Sequence, residues 1–274
     1  MRILTAFAAG AIALTTAATA FAQNAFEPVA GDVYRWQNNF HFGLVVVHDT
    51  GVAVIDTINL DASNWLKDNL SEITDKPITH LIYSHSHGDH ASGGRALEAG
   101  TVIAHANAPD AIDGVTVTER FDDTMTLDLG SKQIELTYLG PGHGTDLIAA
   151  VVRPENVGFI VDAAAPKRLP FRDFPGSNVD QWTDQVRNVE ALDFEIFAPG
   201  HGNLGVKADA TDARIYMENL RGLVLDGLNG GKSVDALVAE LTLDEYKDWA
   251  SYDQWREPNI RGMARYLTES GIAN

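Results

Sequence analysis

Four side chains that can bind metal ions lie in one short run, His85-Ser86-His87-Gly88-Asp89-His90, directly after the apolar segment 78–83. Neutral imidazole and carboxylate groups suit Zn²⁺ and similar metals. Side chains alternate along an extended stretch, so residues 85 and 87 point the same way, and a turn at Gly88 can direct Asp89 and His90 towards a second metal ion. The run therefore predicts a metal site rather than a solvated, histidine-rich loop.

Three later residues extend this set, and each of them follows an apolar segment. His143 lies in a Gly-Pro-Gly-His-Gly-Thr turn, Asp162 follows the segment 157–161, and His201 lies in a Pro-Gly-His-Gly turn. A single Gly-His-Gly is more often an ordinary turn, because glycine allows unusual backbone angles. In combination with the first run, each residue is better explained as a ligand, since loops at strand ends commonly carry the chemistry of a protein.

The elements that must position these residues follow from hydrophobic periodicity and turn residues. Strands are predicted at 33–36, 40–48, 52–56, 78–84, 102–105, 125–129, 134–139, 147–152, 157–161 and 194–198. Helices are predicted at 60–73, 92–99, 108–112 and 178–189, and over most of 208–274 with breaks at 229–231 and near Pro258. Strands with interspersed helices predict a layered α/β domain.

The composition restricts the classes of ligand and partner. The chain has 274 residues, no cysteine, 20 Lys and Arg, and 38 Asp and Glu, which gives a net charge of −18. Without cysteine, metal ligands must come from His, Asp or Glu. A strongly negative protein repels phosphate backbones and anionic membrane surfaces, so we expect neither a nucleic-acid partner nor stable membrane association.

The first 22 residues have the features of a secretory signal. Arg2 precedes the apolar, alanine-rich segment 3–14, and Ala20-Phe21-Ala22 is a small-residue cleavage site. The segment is short for a membrane anchor, which is the alternative interpretation. We therefore expect a signal peptide at 1–22 and a periplasmic or secreted mature chain, 23–274.

The order and spacing of these motifs resemble those of the metallo-β-lactamase-fold hydrolases over roughly residues 30–205. The resemblance implies an α/β fold, an αβ/βα four-layer sandwich with C-terminal helices, carrying a dinuclear metal site at one edge. It implies two ligand sets, with Asp162 as a bridge between them: His85, His87 and His143 for one ion, and Asp89, His90 and His201 for the other.

This pattern implies hydrolysis of an acyl bond in a small-molecule substrate. Two metal ions would share a bridging hydroxide, because metal binding lowers the pKa of water from about 15.7 towards 7. Asp89 would be the catalytic residue that orients this nucleophile or moves its proton. Two Zn²⁺ per chain are expected, with Fe or Mn as alternatives because a bridging carboxylate favours harder metals.

Three functions remain open at this point: a β-lactamase, a lactonase or thioesterase of periplasmic metabolites, and a noncatalytic metal-binding accessory protein. One major β-lactamase subclass has cysteine where this chain has Asp162, and the absence of cysteine excludes that subclass. The aspartate resembles glyoxalase II-like thioesterases and lactonases, although the lactonases often have a tyrosine near the position of Ala165. A complete ligand set argues against the accessory protein, which needs no open coordination position.

Some residues around the predicted site have two interpretations, and others are interpreted as structural or are assigned no partner. Asp56 could orient a ligand histidine or only cap a turn. Lys167 and Arg168 could bind a substrate carboxylate or could be solvated.

His80 and His105 are interpreted as structural, and no partner is assigned to His41 or His48. Phe171, Phe174 and Pro175 could form an apolar wall of the cleft, whereas Trp249, Tyr252, Trp255 and Tyr266 are interpreted mainly as helix packing.

Overall fold

The computed structural model describes residues 24–273 of the chain. Within them, two β-sheets pack face to face and helices cover both outer faces. The predicted signal peptide at 1–22 lies outside the described residues. In the part of the chain that is described, no helix combines the length and the apolar character needed to cross a membrane.

The strands, in chain order, are β1 (Asn24–Ala30), β2 (Val33–Asn38), β3 (His41–Val47), β4 (Val52–Ile55), β5 (Ile78–Ile82), β6 (Thr101–His105), β7 (Ala111–Ile112), β8 (Val115–Thr116), β9 (Glu119–Phe121), β10 (Thr124–Asp128), β11 (Gln133–Tyr138), β12 (Ile148–Arg153), β13 (Val157–Ile160), β14 (Ile196–Pro199) and β15 (Gly205–Val206). The α-helices are α1 (Leu60–Asn69), α2 (Gly88–Ala91), α3 (Val179–Ala191), α4 (Ala208–Asn229), α5 (Val234–Glu240) and α6 (Tyr252–Glu269). Short 3₁₀ helices lie at Leu70–Glu72, Gly94–Ala96 and Asp244–Tyr246.

The first sheet has the strand order β1-β2-β3-β4-β5-β6-β9, and the second has the order β10-β11-β12-β13-β14-β15. Strands β4, β5, β6 and β9 are parallel neighbours in the first sheet, and β13 pairs parallel with β14 in the second. The carboxyl ends of parallel strands meet at one edge of a sheet. The loops after β4 and β5 therefore lie at the same edge of the first sheet, and the loops after β13 and β14 lie at the same edge of the second.

The core between the sheets consists of aliphatic side chains from their facing surfaces. Leu44 and Ile55 of the first sheet belong to the same buried cluster as Leu136 and Phe159 of the second. Each fully buried side chain of this kind contributes about 1.5–3 kcal/mol relative to an exposed one. On the outer faces, α1 packs on the first sheet and α3 and α4 pack on the second. The predicted four-layer αβ/βα sandwich with C-terminal helices is therefore confirmed.

Two backbone hydrogen bonds join the sheets at the edge where the parallel strands end. The N–H of Phe42 donates to the carbonyl of Gly200 at 2.9 Å, and the N–H of Ile148 donates to the carbonyl of Ser84 at 2.8 Å. Gly200 and Ser84 directly precede two of the predicted metal ligands. These bonds fix the relative positions of loops that come from different sheets.

Two short helices predicted from the sequence are wrong. The segment 92–99 contains only the 3₁₀ helix Gly94–Ala96, because Gly93 has φ +86° and lies so close to Leu60 that a Cβ would stand 2.5 Å from its backbone. The segment 108–112 ends in β7, which forms a small hairpin with β8. Local propensity is overridden at both places by packing and turn geometry.

The C-terminal helices pack with α3 into a separate apolar cluster. A break near Pro258 was predicted, but α6 runs through this residue. The break lies before α6 instead, where Leu243 and Ser251 have φ of +54° and +65°. Buried Asn259 then links α6 to the loop after β13, since its Nδ2 donates to the carbonyl of Pro170 at 3.0 Å. This contact holds the loop beside the predicted site against the helices.

Candidate metal centre

The seven predicted ligands all lie at the edge where the parallel strands end. They come from five places in the chain: the loop after β5 (His85 and His87), helix α2 (Asp89 and His90), the loop between β11 and β12 (His143), the end of β13 (Asp162) and the end of β14 (His201). The structure brings these seven residues into two groups that share Asp162.

The first group consists of His85, His87, His143 and Asp162, whose ligand atoms all lie within 4.8 Å of one another. Nε2 of His143 is 3.1 Å from Nδ1 of His87 and 3.1 Å from Oδ2 of Asp162. Nε2 of His85 is 3.4 Å from the same carboxylate oxygen, and this buried nitrogen has no hydrogen-bond partner among the described residues. Two imidazoles therefore face one carboxylate oxygen, and the third, that of His87, lies against the ring nitrogen of His143.

The second group consists of Asp89, His90, His201 and Asp162, again with ligand atoms within 4.8 Å of one another. The Nε2 atoms of His90 and His201 are 3.0 Å apart. Oδ1 of Asp162 is 3.5 Å from the first of these nitrogens and 3.2 Å from the second. Asp162 thus presents Oδ2 to one group and Oδ1 to the other.

The donor set of both groups fits divalent metal ions. Pairs of ring nitrogens face each other at 3.0 and 3.1 Å, and Nε2 of His85 is buried without a hydrogen bond. A buried polar atom without a partner is costly, and a cation between converging nitrogen lone pairs removes that cost. Imidazole nitrogen and carboxylate oxygen are the ligand types of zinc and of similar metals.

Electrostatics keep Asp162 in the form that binds a cation. Burial by itself would raise its pKa, but the adjacent imidazoles of His90, His143 and His201 hold the pKa well below its usual range. Burial would likewise lower the pKa of His90, and the carboxylates of Asp162 and Asp56 raise it well above its usual range instead. The carboxylate of Asp162 is therefore ionised, and its negative charge favours cations around it.

His87 is also in its ligand form at neutral pH. Burial, together with the neighbouring rings of His85 and His143, lowers its pKa to about 4. A neutral imidazole offers the lone pair that a metal ion requires.

The family model described as the metallo-beta-lactamase superfamily matches residues 40–201, a span that contains all seven of these residues. The chain belongs to the metallo-β-lactamase superfamily. At the level of this family it is a metal-dependent hydrolase, and the His and Asp cluster indicates a divalent metal.

Individual members of the metallo-β-lactamase superfamily show how far the similarity extends. The 2,4-dinitroanisole O-demethylase subunit alpha of Nocardioides sp. (strain JS1661) is 26% identical over 76% of this chain and 67% of its own. A metallo-beta-lactamase type 2 of Bacteroides fragilis is 30% identical over 60% of this chain and 69% of its own. The solved structure of a metallo-beta-lactamase from Pontibacter korlensis has a TM-score of 0.61 at 17% identity, covers 72% of this chain and 100% of its own, and shows the shared fold.

His41 is a residue of this metallo-β-lactamase-fold site to which the sequence analysis assigned no partner. It begins β3, and its Nε2 lies 3.5 Å from Oδ2 of Asp89. Its ring is 4.7 Å from that of His201. The hydrogen bond from His41 is the main reason why the pKa of Asp89 lies well below its usual range. The signal in the sequence is the adjacent Asn38-Asn39 turn, which predicts a hairpin, and the resemblance to the metallo-β-lactamase-fold hydrolases implies that such a hairpin covers the site.

Asp56 lies beneath the two ligand groups, at the end of β4. It accepts hydrogen bonds from the backbone N–H and from Oγ of Ser84, both at 2.7 Å, and the same Oγ is 3.0 Å from Nδ1 of His85. Nδ1 of His90 is 3.5 Å from Oδ2 of Asp56. Asp56 has φ +66°, and strain of this kind is common where a side chain must point into a functional site. These contacts match the predicted role of orienting ligand histidines.

Replacing Asp56 with asparagine is expected to lower zinc affinity by roughly 10- to 100-fold. Asparagine tolerates the positive φ, so the backbone is kept, but the charged acceptor beside His90 and Ser84 is lost. Competition with a chromogenic chelator measures the change. The matched control is Asp113→Asn, because Asp113 also has positive φ and accepts from the N–H of Gly93 at 2.7 Å, away from both ligand groups. Equal zinc affinities of the Asp56→Asn variant and the unaltered chain would contradict the role.

A cavity of about 500 Å³ opens beside the ligand groups. Arg168 lines it, whereas its neighbour Lys167 pairs with Asp212 and lies 3.7 Å from Asp209. Of the two side chains considered for binding a substrate carboxylate, only that of Arg168 therefore lines the cavity. Trp249 and Trp255 also line the cavity, so their interpretation as helix packing alone is incomplete.

The remaining histidines of the described residues lie outside both ligand groups. The ring of His105 stacks on that of Tyr138 at 3.8 Å, and His48 and His80 both contact the hydroxyl of Thr79. His80 and His105 thus have the structural contacts that the sequence analysis assigned to them.

Proposed function

We propose that the chain is an exported hydrolase that uses two zinc ions to cleave an acyl bond in a β-lactam, lactone, ester or thioester. The observation that carries the proposal is the shared carboxylate of Asp162, whose two oxygens face two separate groups of histidines. Such a carboxylate suits a pair of metal ions rather than one. The alternative metals, Fe and Mn, use the same types of ligand.

In this proposal, each group of residues has a defined task. His85, His87 and His143 would hold one ion, Asp89, His90 and His201 would hold the other, and Asp162 would supply a carboxylate oxygen to each. When bound, the metal pair supplies Lewis acidity and a water of lowered pKa. Asp89 orients the attacking water and moves its proton, and His41 restricts the position of the Asp89 carboxylate. Asp56 holds the rings of His85 and His90 in place from below.

Three observations favour different substrates, and the third of these substrates lies outside acyl-bond cleavage. The relatives named metallo-beta-lactamase type 2 favour a β-lactam, and the periplasm or the medium is where such compounds would be met. The bridging aspartate, in a chain without cysteine, favours a lactone or thioester. The relative named a demethylase of 2,4-dinitroanisole adds an aromatic ether to the compounds worth testing. The negative net charge, −18, supports a small-molecule substrate over a nucleic acid.

The test is hydrolysis of a chromogenic cephalosporin by the zinc-loaded chain, with and without a chelator. Rapid turnover that the chelator abolishes is the expected result for a β-lactamase. Turnover of lactones or thioesters instead would keep the proposal and change the substrate, whereas turnover of 2,4-dinitroanisole alone would replace acyl-bond cleavage with cleavage of an aromatic ether. Two bound metal ions without any hydrolysis across this panel would contradict the proposal and support a noncatalytic metal-binding protein.

A further inference from the structure

The cavity beside the metal centre has an apolar half that neither ligand group uses. Its walls come from the loop after β13 and from the C-terminal part of the chain, and they include Leu169, Phe171, Met217, Trp249 and Trp255. The family match ends at residue 201, so three of these five side chains lie beyond the matched part of the chain. The C-terminal helices therefore add a surface of their own to the site.

The aromatic residues of this surface support one another. The rings of Phe171 and Trp255 meet edge to face at 5.3 Å, and those of Tyr216 and Trp249 are 5.8 Å apart. The hydroxyl of Tyr216 donates to Oδ1 of Asn259 at 2.6 Å, so its polar tip is satisfied away from the cavity. The wall thus presents a flat, apolar surface on which an aromatic ring of a ligand can stack.

Arg168 is the one Lys or Arg among the residues that line this cavity. Its guanidinium carbon lies 4.7 Å from the ring of Trp255, and within the described residues the side chain forms no ion pair or hydrogen bond. Burial lowers the pKa of Arg168, and the nearby charge of Asp162 opposes that shift. Lys167, by contrast, is neutralised by Asp212 outside the cavity.

We propose that this half of the cavity selects a substrate with an aromatic body and a carboxylate, in which the ring packs against Trp255 and Trp249 and the carboxylate binds Arg168. A planar guanidinium stacked on an indole offers its fork of N–H donors to a carboxylate. A bound anion also gives this cation the ion pair that it does not form with the carboxylates of Asp89 and Asp162 in the same cavity. The proposal rests on the proposed function for one feature, the position of the acyl bond at the ligand groups.

Binding of two naphthalene probes to the full, zinc-loaded chain tests this selection by calorimetry. The anionic probe is 2-naphthoate, and its uncharged counterpart is 2-naphthamide. The unaltered chain is expected to bind 2-naphthoate roughly 10- to 100-fold more tightly than the amide. Arg168→Gln is expected to remove most of that preference, and Arg168→Lys to restore part of it. Lys167→Gln, one residue away, is the matched control and is expected to keep the full preference.

A second comparison tests the aromatic wall. Benzoate lacks one ring of 2-naphthoate, and we expect the unaltered chain to bind it about tenfold more weakly. Trp255→Leu is expected to reduce this difference, and Trp255→Phe to retain more of it than leucine does.

Unchanged preference for 2-naphthoate in Arg168→Gln would overturn the proposal, because the carboxylate would then be held by the metal ions. Equal binding of benzoate and 2-naphthoate to the unaltered chain would overturn it as well. Because both comparisons measure binding, a chain that hydrolyses none of the tested acyl compounds can still satisfy them. Failure of the proposed function and failure of this inference are therefore distinguishable.

Discussion

Replacing Asp162 with asparagine is expected to abolish metal binding at both ligand groups and to reduce hydrolysis by roughly 10³-fold or more, which corresponds to about 4 kcal/mol of activation free energy. Each oxygen of this carboxylate faces a different group, so the loss of its charge removes an anionic ligand from both. Asparagine is the appropriate replacement because residue 162 has φ +54°, a conformation that asparagine tolerates and that would strain most other residues.

Metal content per chain after desalting, together with turnover of the best substrate, measures this effect. The control is Asp49→Asn, since the carboxylate of Asp49 also accepts a backbone hydrogen bond, from Ser131 at 3.1 Å, but lies outside the ligand groups. The control is expected to keep both the metal and the activity. Two metal ions retained by the Asp162→Asn variant would contradict the bridging role.

The seven predicted ligand residues could be recognised in the sequence because each of them belongs to a strong local pattern. The run 85–90 follows a buried strand, and Asp162 and His201 each end or follow another. The assembly of these residues into two groups is not given by strand direction, because β5 and β13 lie in different sheets and His143 lies between two antiparallel strands. It is implied by the resemblance to the metallo-β-lactamase-fold hydrolases. The layered fold follows from the same alternation of strands and helices.

Features that depend on contacts between distant segments could not be predicted in the same way. The contact of His41 with Asp89 joins a hairpin to α2, and neither segment contains a pattern that refers to the other. Trp249 and Trp255 have the spacing and composition of helix packing, and only the docking of the C-terminal helices places them at the cavity. Similarly, the helix break lies at Leu243 and Ser251, which have positive φ, and not at Pro258, where the sequence predicted it.

Replacing Asp89 with alanine is expected to reduce turnover by about 10²- to 10⁴-fold, while the free energy of unfolding of the metal-free chain changes by less than about 0.5 kcal/mol. The side chain is 51% exposed, so truncation removes little buried contact. The same carboxylate faces the second ligand group and His41, where it can orient and deprotonate the attacking water. Steady-state turnover at saturating zinc and chemical denaturation measure the two quantities.

Metal content decides between the two tasks of Asp89. If turnover falls while two zinc ions remain bound, the carboxylate acts on the attacking water; if turnover and the second ion are lost in parallel, it acts only as a ligand. Asp61→Ala is the matched control, because Asp61 is also an exposed acid in the first turn of a helix and lies outside both groups. Full activity of the Asp89→Ala variant would exclude both tasks, since no other carboxylate of the described residues stands at this position of the second group.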